Sequence, residues 1–291
     1  MGFDRRSVAI GMLALLAAAG AGVAAGAVLD GQRKAAGRAR SPAASATAAN
    51  ASSPVPSPVT SPPRSGPTVP VYVLGDTEAG PRLYREFRPA GGAAETDRVR
   101  AAVAGLADQP DDPDYRTPWR AVRVARLARS GADVTVAFAG APRLAAPAEA
   151  FVAVQQVVHT VTAADNAVQR VRVMAPGLPA ALTRTPVGRA PQVDVLAPVW
   201  LLSPADGSRT GRPVVIRGTA SVFEATVSVE ARQGSAVAAR ATATASVGGP
   251  GRGTWAATVS LPPGEYVLAA YEVSGKDGSR LSVDTKRITV D

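Results

Sequence analysis

Apolar residues recur at two different periods along this chain, and the changes of period divide it. Residues 69–74 and 83–88 alternate, which predicts two strands joined across Gly75-Asp76 and Gly80-Pro81, with Val71, Val73, Leu83 and Phe87 supplying the apolar faces. The spacing then becomes helical: Thr96 is expected to cap a helix carrying Val99, Val103 and Leu106, which Gln109-Pro110 stops. Alternation returns where Val122, Val124 and Leu127 face Val134, Val136 and Phe138 across Arg129-Ser130-Gly131, a second hairpin. Phe151, Val154, Val158 and Val161 mark a second helix, and residues 168–173 a last strand before Pro176-Gly177. The order ββαββαβ predicts an α+β domain over residues 68–180, with both hairpins in one sheet.

Beyond a polar hinge expected at residues 183–191 the helical period does not return. Alternating runs at residues 193–196, 199–202, 214–219, 226–231, 237–244, 254–261, 266–273 and 281–290 predict an all-β sandwich over residues 192–291. Turn residues fall between them, at Asp206-Gly207, Gln233-Gly234, Gly248-Gly249-Pro250-Gly251, Pro263-Gly264 and Asp277-Gly278. The chain has no cysteine, so the core of this sandwich is assigned to Trp255, Phe223, Tyr266 and the valines. The same absence removes thiolate metal sites and an acylated lipoprotein cysteine.

The N-terminal part reads differently. Val8 to Leu29 is a run of 22 residues without a charge, long enough to span a bilayer as a helix, although Ala and Gly dominate it. Within residues 1–40, a signal anchor is favoured over a cleaved signal peptide, because the run is long and continues into Asp30, Arg33 and Lys34 without a polar cleavage region. Arg33, Lys34, Arg38 and Arg40 outnumber Arg5 and Arg6, so the positive-inside rule opposes export of the C-terminal domains. Residues 41–67 are rich in Pro, Ser and Ala, with too little apolar surface to fold, and read as an extended linker.

Charge changes the picture only by subtraction. Lys and Arg total 32 against 23 Asp and Glu, but seven of the basic and two of the acidic residues lie in the first 67 positions. The folded part therefore has no concentrated basic surface, and nucleic acid is not expected as a partner.

Two resemblances rest on particular strings. Gly218-Thr219-Ala220-Ser221-Val222-Phe223-Glu224-Ala225, with Leu202-Ser203-Pro204 before it and Lys276-Asp277-Gly278-Ser279 after it, resembles the immunoglobulin-like domain of bacterial sporulation and spore germination proteins. Four strings upstream resemble, in order, the GerMN domain of sporulation and germination proteins. They are Val71-Tyr72-Val73, Arg82-Leu83-Tyr84-Arg85-Glu86, Thr117-Pro118-Trp119 and Gln155-Gln156-Val157-Val158-His159-Thr160-Val161-Thr162. The acidic loop Asp111 to Asp114 departs from that family, which tends to carry a Gly/Pro-type turn there. The resemblance implies a cell-envelope protein with extracytoplasmic C-terminal domains, linked to sporulation, germination or cell-wall processes, and it brings no catalytic residues. It resolves the topology conflict toward export, with secretion after signal cleavage as the alternative.

Candidate chemistry is sparse. His159 is the only histidine, lies in an apolar run and has no visible nucleophile or orienting group, so it reads as structural. Asp111, Asp112 and Asp114 lack the glycine and distal glutamate of a calcium loop and read as a solvated loop. Phe223 is expected to fill the core, with Glu224 tying down a loop through backbone hydrogen bonds; a ligand contact is the rival role for this pair. The expected function is non-catalytic binding or assembly with envelope proteins or other copies of the chain, without a cofactor. The alternative is a glycan-binding accessory protein or cell-wall enzyme, and glycan binding requires exposed rings, for which Trp119, Trp200 and Tyr271 are the candidates.

Overall fold

The computed structural model describes residues 66–90 and 94–291. The apolar run Val8 to Leu29 and nearly all of the linker lie outside the described residues, and among those described no helix is long and apolar enough to cross a membrane. The described chain is mostly β with few helices.

The first domain runs through β1 (Thr68–Thr77), β2 (Gly80–Pro89), α1 (Glu95–Gly105), β3 (Tyr115–Arg116), β4 (Val124–Ser130), β5 (Asp133–Phe138), α2 (Glu149–Ala164) and β6 (Arg170–Met174). Its two hairpins do not share a sheet, contrary to the sequence expectation: one sheet has the order β2-β1-β3 and the other β4-β5-β6, with β6 parallel to β5. The reason lies on α2. Thr160 Oγ1 accepts the Tyr72 backbone N–H at 3.0 Å, and Gln156 Nε2 donates to the Tyr72 carbonyl at 2.8 Å. Side chains thus occupy backbone groups that a further strand would otherwise take. The helix is buried along nearly its whole length, packing Val154, Val157, Val158 and Val161 against both sheets. Trp119 lies at the same core, stacked on Phe138 at 4.1 Å and donating Nε1–H to the Ala153 carbonyl. Helix α1 begins at Glu95, after Ala94 at the N-cap position, which supplies no side-chain cap, so Thr96 sits inside its first turn and does not cap it.

The expected hinge is instead a bound connector. After α3 (Ala180–Thr183), Val187 pairs with Val171 in an isolated bridge. Gln155 then donates to the Gly188 carbonyl and accepts the Ala190 N–H, and Arg189 Nε donates to Thr162 Oγ1 at 2.6 Å. The strand expected at residues 193–196 does not form, because residues 193–195 belong to the short helix α4 (Gln192–Val195).

The second domain contains β7 (Val199–Ser203), β8 (Ser208–Thr210), β9 (Val214–Ala220), β10 (Thr226–Gln233), β11 (Ala236–Thr244), β12 (Gly253–Val259), β13 (Gly264–Val273) and β14 (Arg280–Val290). They form two sheets, β11-β10-β13-β14-β8 and β12-β9-β7, facing each other across Leu201, Ile216, Val229, Trp255, Leu268 and Ile288. Close packing fixes Gly218: a Cβ there would lie 2.0 Å from the Trp200 carbonyl oxygen and 2.3 Å from the Trp255 ring. Trp255 and Tyr266 fill the core as expected, but Phe223 does not, being 79% exposed. Val222 and Ala225 take the inward positions of that loop instead.

Candidate functional site

The two domains meet along a seam that begins with β14. Asp284, Lys286, Ile288 and Val290 share one face of this strand, and all four are buried. Ile288 and Val290 join the sandwich core, whereas Asp284 and Lys286 meet the first domain. Lys286 Nζ donates to Asp112 and, at 2.9 Å, to the Tyr115 hydroxyl, which in turn donates to Asp284 Oδ1 at 2.7 Å. The second oxygen of Asp284 accepts the Leu201 N–H at 2.6 Å. Burial pushes the Asp284 carboxyl up to about 6, with the Asp112 charge adding to it, although Lys286 and the two hydrogen bonds pull the other way. Burial also raises the Tyr115 hydroxyl, followed by the charge of Asp284.

Aromatic and apolar packing extends the seam. Tyr72, Leu74, Leu83, Tyr84 and Tyr115 of the first domain pack with Val195, Leu196 and Trp200. The Leu83 carbonyl accepts both the Trp200 indole N–H at 3.1 Å and the Ala197 N–H at 3.0 Å. Glu78, in the turn after β1, accepts the Ser282 N–H and hydroxyl. A cleft of about 210 Å³ opens beside this contact, with Arg85 and Phe87 of β2 on one wall and Leu201, Leu202 and Ala205 on the other.

A second feature is the end of the sandwich formed by the β9–β10 and β11–β12 loops. Glu224 and Ala225 both have positive φ, 55° and 56°, a region costing L-residues roughly 1–2 kcal/mol each. The Gly249 N–H donates to the Val222 carbonyl at 2.8 Å and the Phe223 N–H to Glu272 at 3.3 Å, which hold the loop. The result is a phenyl ring directed away from the core, with Val247 and Val273 of the neighbouring loop and strand end also exposed.

The residues singled out from sequence do not converge. Trp119, Trp200 and Tyr271 are 0%, 2% and 7% exposed, so none offers the free ring face that glycan stacking needs. Trp119 is core and Trp200 is seam; Tyr271 donates its hydroxyl at 3.0 Å to Glu230, a carboxylate also held by Arg240 and Arg280. His159 packs on Tyr72 with ring centroids 5.1 Å apart, and neither ring nitrogen has a hydrogen-bond partner. Burial, then the Arg189 charge, pushes its imidazole down to about 3. The acidic loop is not a solvated one. Asp112 is buried on Lys286, Asp111 pairs with Arg88, and Asp114 accepts the Thr285 hydroxyl. Glu224 ties down no backbone N–H through its carboxylate among the described residues. Sequence reasoning missed Asp284 and Lys286. A signal existed for both, since charges at alternate positions ahead of Ile288 and Val290 put ions on an apolar face.

Comparison with known families finds a match on each side of the seam. Residues 70–181 match the family described as sporulation and spore germination, and residues 198–279 match the immunoglobulin-like domain of bacterial spore germination. The chain thus carries, in order, one segment similar to each of these two families, and each match covers less than half of its length. Both descriptions concern a process or a fold and name no catalytic activity.

Among solved structures, the tandem GerMN domains of the sporulation protein GerM from Bacillus subtilis match at 18% identity and a TM-score of 0.32, over 42% of this chain and 44% of that one. CopC from Methylosinus trichosporium OB3b matches at 17% identity and 0.24, over 32% of this chain and 93% of that one. The fibronectin(III)-like modules of Clostridium thermocellum CbhA match at 23% identity and 0.22, with the same coverage. No curated protein matches.

Proposed function

We propose that this protein is a non-catalytic binding or assembly component of the cell envelope, its two domains joined so that they present one surface to envelope proteins or to other copies of the chain. In this reading Val8 to Leu29 anchors it in the membrane, the linker spaces the domains away from the bilayer, and the C-terminal domains lie outside the cell. The observation that carries the proposal is Phe223, a large apolar side chain 79% exposed on a backbone strained at the next two residues. Backbone strain of this kind persists when the surrounding contacts over-determine it, and it clusters at functional positions. An exposed phenyl flanked by Val247 and Val273 suits the apolar centre of a protein contact.

A photo-crosslinking residue placed at position 223 of the full chain in cells tests this, with the same residue at Ser235, in the turn at the other end of β10, as control. A discrete product specific to position 223, either with another envelope protein or with a second copy, is expected. Identical labelling at both positions, or none, refutes the tip as the contact. A reporter fused at Asp291 tests the topology, and a cytoplasmic signal overturns the envelope reading.

A further inference from the structure

The longest open edge of the sandwich is β11. The larger sheet ends at β8, only three residues long, on one side and at β11, nine residues long, on the other. In the smaller sheet β7 lies in the seam, where Asp284 takes the Leu201 N–H, and the start of β12 is engaged by Ser246, whose N–H donates to the Thr254 carbonyl. No described strand pairs with the outer side of β11.

Free edges are ordinarily blunted by shortness, by proline or by charge. β11 reads Ala-Val-Ala-Ala-Arg-Ala-Thr-Ala-Thr, with no proline and a single charged residue. That charge is already answered within the sheet, since Arg240 Nε donates to Glu230 Oε1 at 3.1 Å on β10. A bulge opposite Ala231 and Arg232 distorts the start of the strand, but residues 239–244 keep regular register.

The phase of the ladder shows which backbone groups are left over. The Ala245 N–H donates to the Ala225 carbonyl, and in an antiparallel pair such bonded positions recur at every second residue. Ala239, Ala241 and Ala243 therefore bond to β10, while the N–H and C=O groups of Arg240, Thr242 and Thr244 point off the edge. Ala239 and Ala241 pack on the core and yet are only half-buried, because no strand lies beyond them.

The strand best matched to this edge is β11 of another copy. Antiparallel pairing about a two-fold axis at Thr242 sets Thr242 opposite Thr242, Arg240 opposite Thr244 and Ala241 opposite Ala243. No like charges then face each other, threonines meet on the outer face, and alanines close over one another on the inner face. The three facing pairs with outward backbone groups supply about six hydrogen bonds, two for each pair. An acidic foreign strand has no such advantage, because the one cation on the edge is held by Glu230.

We propose that β11 is a self-association edge, along which two copies of the chain pair antiparallel about Thr242 and join their five-stranded sheets into one. The edge is a different surface from the Phe223 loop, so either contact can fail without the other.

The chain has no cysteine, so one introduced thiol reports this contact alone. Facing residues of a bonded antiparallel pair have Cα atoms about 5.5 Å apart, within the roughly 4.4–6.8 Å that a disulfide spans. The full-length protein carrying Thr242→Cys, mildly oxidised and run on a non-reducing gel, should give a band at twice the chain mass of 29.5 kDa. Thr244→Cys, four residues and about 14 Å out of register with its own copy, should give at least about fivefold less. Ser228→Cys, one strand further in, and Thr258→Cys, exposed on β12, should also give little. Adding Thr244→Pro to Thr242→Cys removes an outward N–H while sparing the bonds to β10, so the thermal midpoint should hold and the dimer should fall several-fold. No dimer with Thr242→Cys, equal dimer at all four positions, or an unchanged yield in the folded Thr244→Pro variant overturns the proposal.

Discussion

Replacing Lys286 by methionine removes an ammonium that lies between two buried carboxylates while keeping most of the side-chain volume. The amine donates to Asp112 and Tyr115 and lies 3.8 Å from Asp284, and the Lys286, Asp112 and Asp284 side chains are 7%, 3% and 2% exposed. Breaking such a pair from one side leaves an uncompensated buried charge and typically costs about 3–5 kcal/mol. For a folded region of this size, each kcal/mol corresponds to roughly 2–4 °C in the thermal midpoint, so Lys286→Met should lower it by about 6–20 °C.

The loss should be smaller near pH 5 than near pH 7, because Asp284 titrates at about 6 in the folded wild type and losing the cation raises that value further. Adding Asp112→Asn should recover part of the loss by removing the stranded charge. Urea unfolding followed by tryptophan fluorescence measures these effects, with Arg209→Met as a control that breaks the exposed Arg209–Asp291 pair and should change little. A Lys286→Met variant as stable as that control refutes the claim that the seam excludes water from its ions.

The geometry carries three further expected outcomes. His159 titrates near 3 when folded against 6.5 unfolded, so its contribution is complete above about pH 6.5 and is lost as pH falls, by about 2 kcal/mol between pH 7 and 5; Asp284, raised from 3.8 to about 6, works in the opposite sense and returns about 1 kcal/mol over the same interval. His159→Leu should therefore reverse this local pH slope, and denaturation curves at pH 5 and 7 that keep the wild-type slope would contradict it. Gly218→Ala places a methyl group 2.0 Å from a backbone oxygen, and should destabilise by at least about 3 kcal/mol or prevent folding, measured by calorimetry and soluble yield. Glu224→Gly relieves a positive φ and should be neutral or raise stability by up to about 1 kcal/mol; a loss greater than that would show that the Glu224 side chain holds the loop.

Much of this fold was legible because its periods are clean. The alternation in residues 69–74 and 83–88 became β1 and β2, the spacing of Val154, Val158 and Val161 became α2, and seven of the eight runs expected in the second domain became strands. What failed was long-range. Nothing local in Tyr72 says that Thr160 and Gln156 will take its backbone groups and end a sheet there. Residues 183–191 look like a hinge because their contacts are made by Gln155 and Thr162, far away in the chain. Hydrophobicity alone assigns Phe223 to the core, but two adjacent positive φ values, which its neighbours Glu224 and Ala225 do not advertise, turn it outward. The seam was hidden for a related reason: acids in a loop suggest hydration until the lysine that meets them, 174 residues later, is in place.

The placement of Lys286 and Asp284 bears on how such a chain can be rearranged. Two domains that read as separate segments in sequence would ordinarily count as interchangeable parts, to be recombined with other neighbours at the level of the gene. Here the second cannot be excised cleanly: cut at the connector, it would carry a bare ion pair on the face that continues its own core, with Asp112 and Tyr115 left behind. Any transplant would have to bring the acidic loop along or replace Asp284 and Lys286 with apolar residues, so the inheritable unit is the pair of domains together.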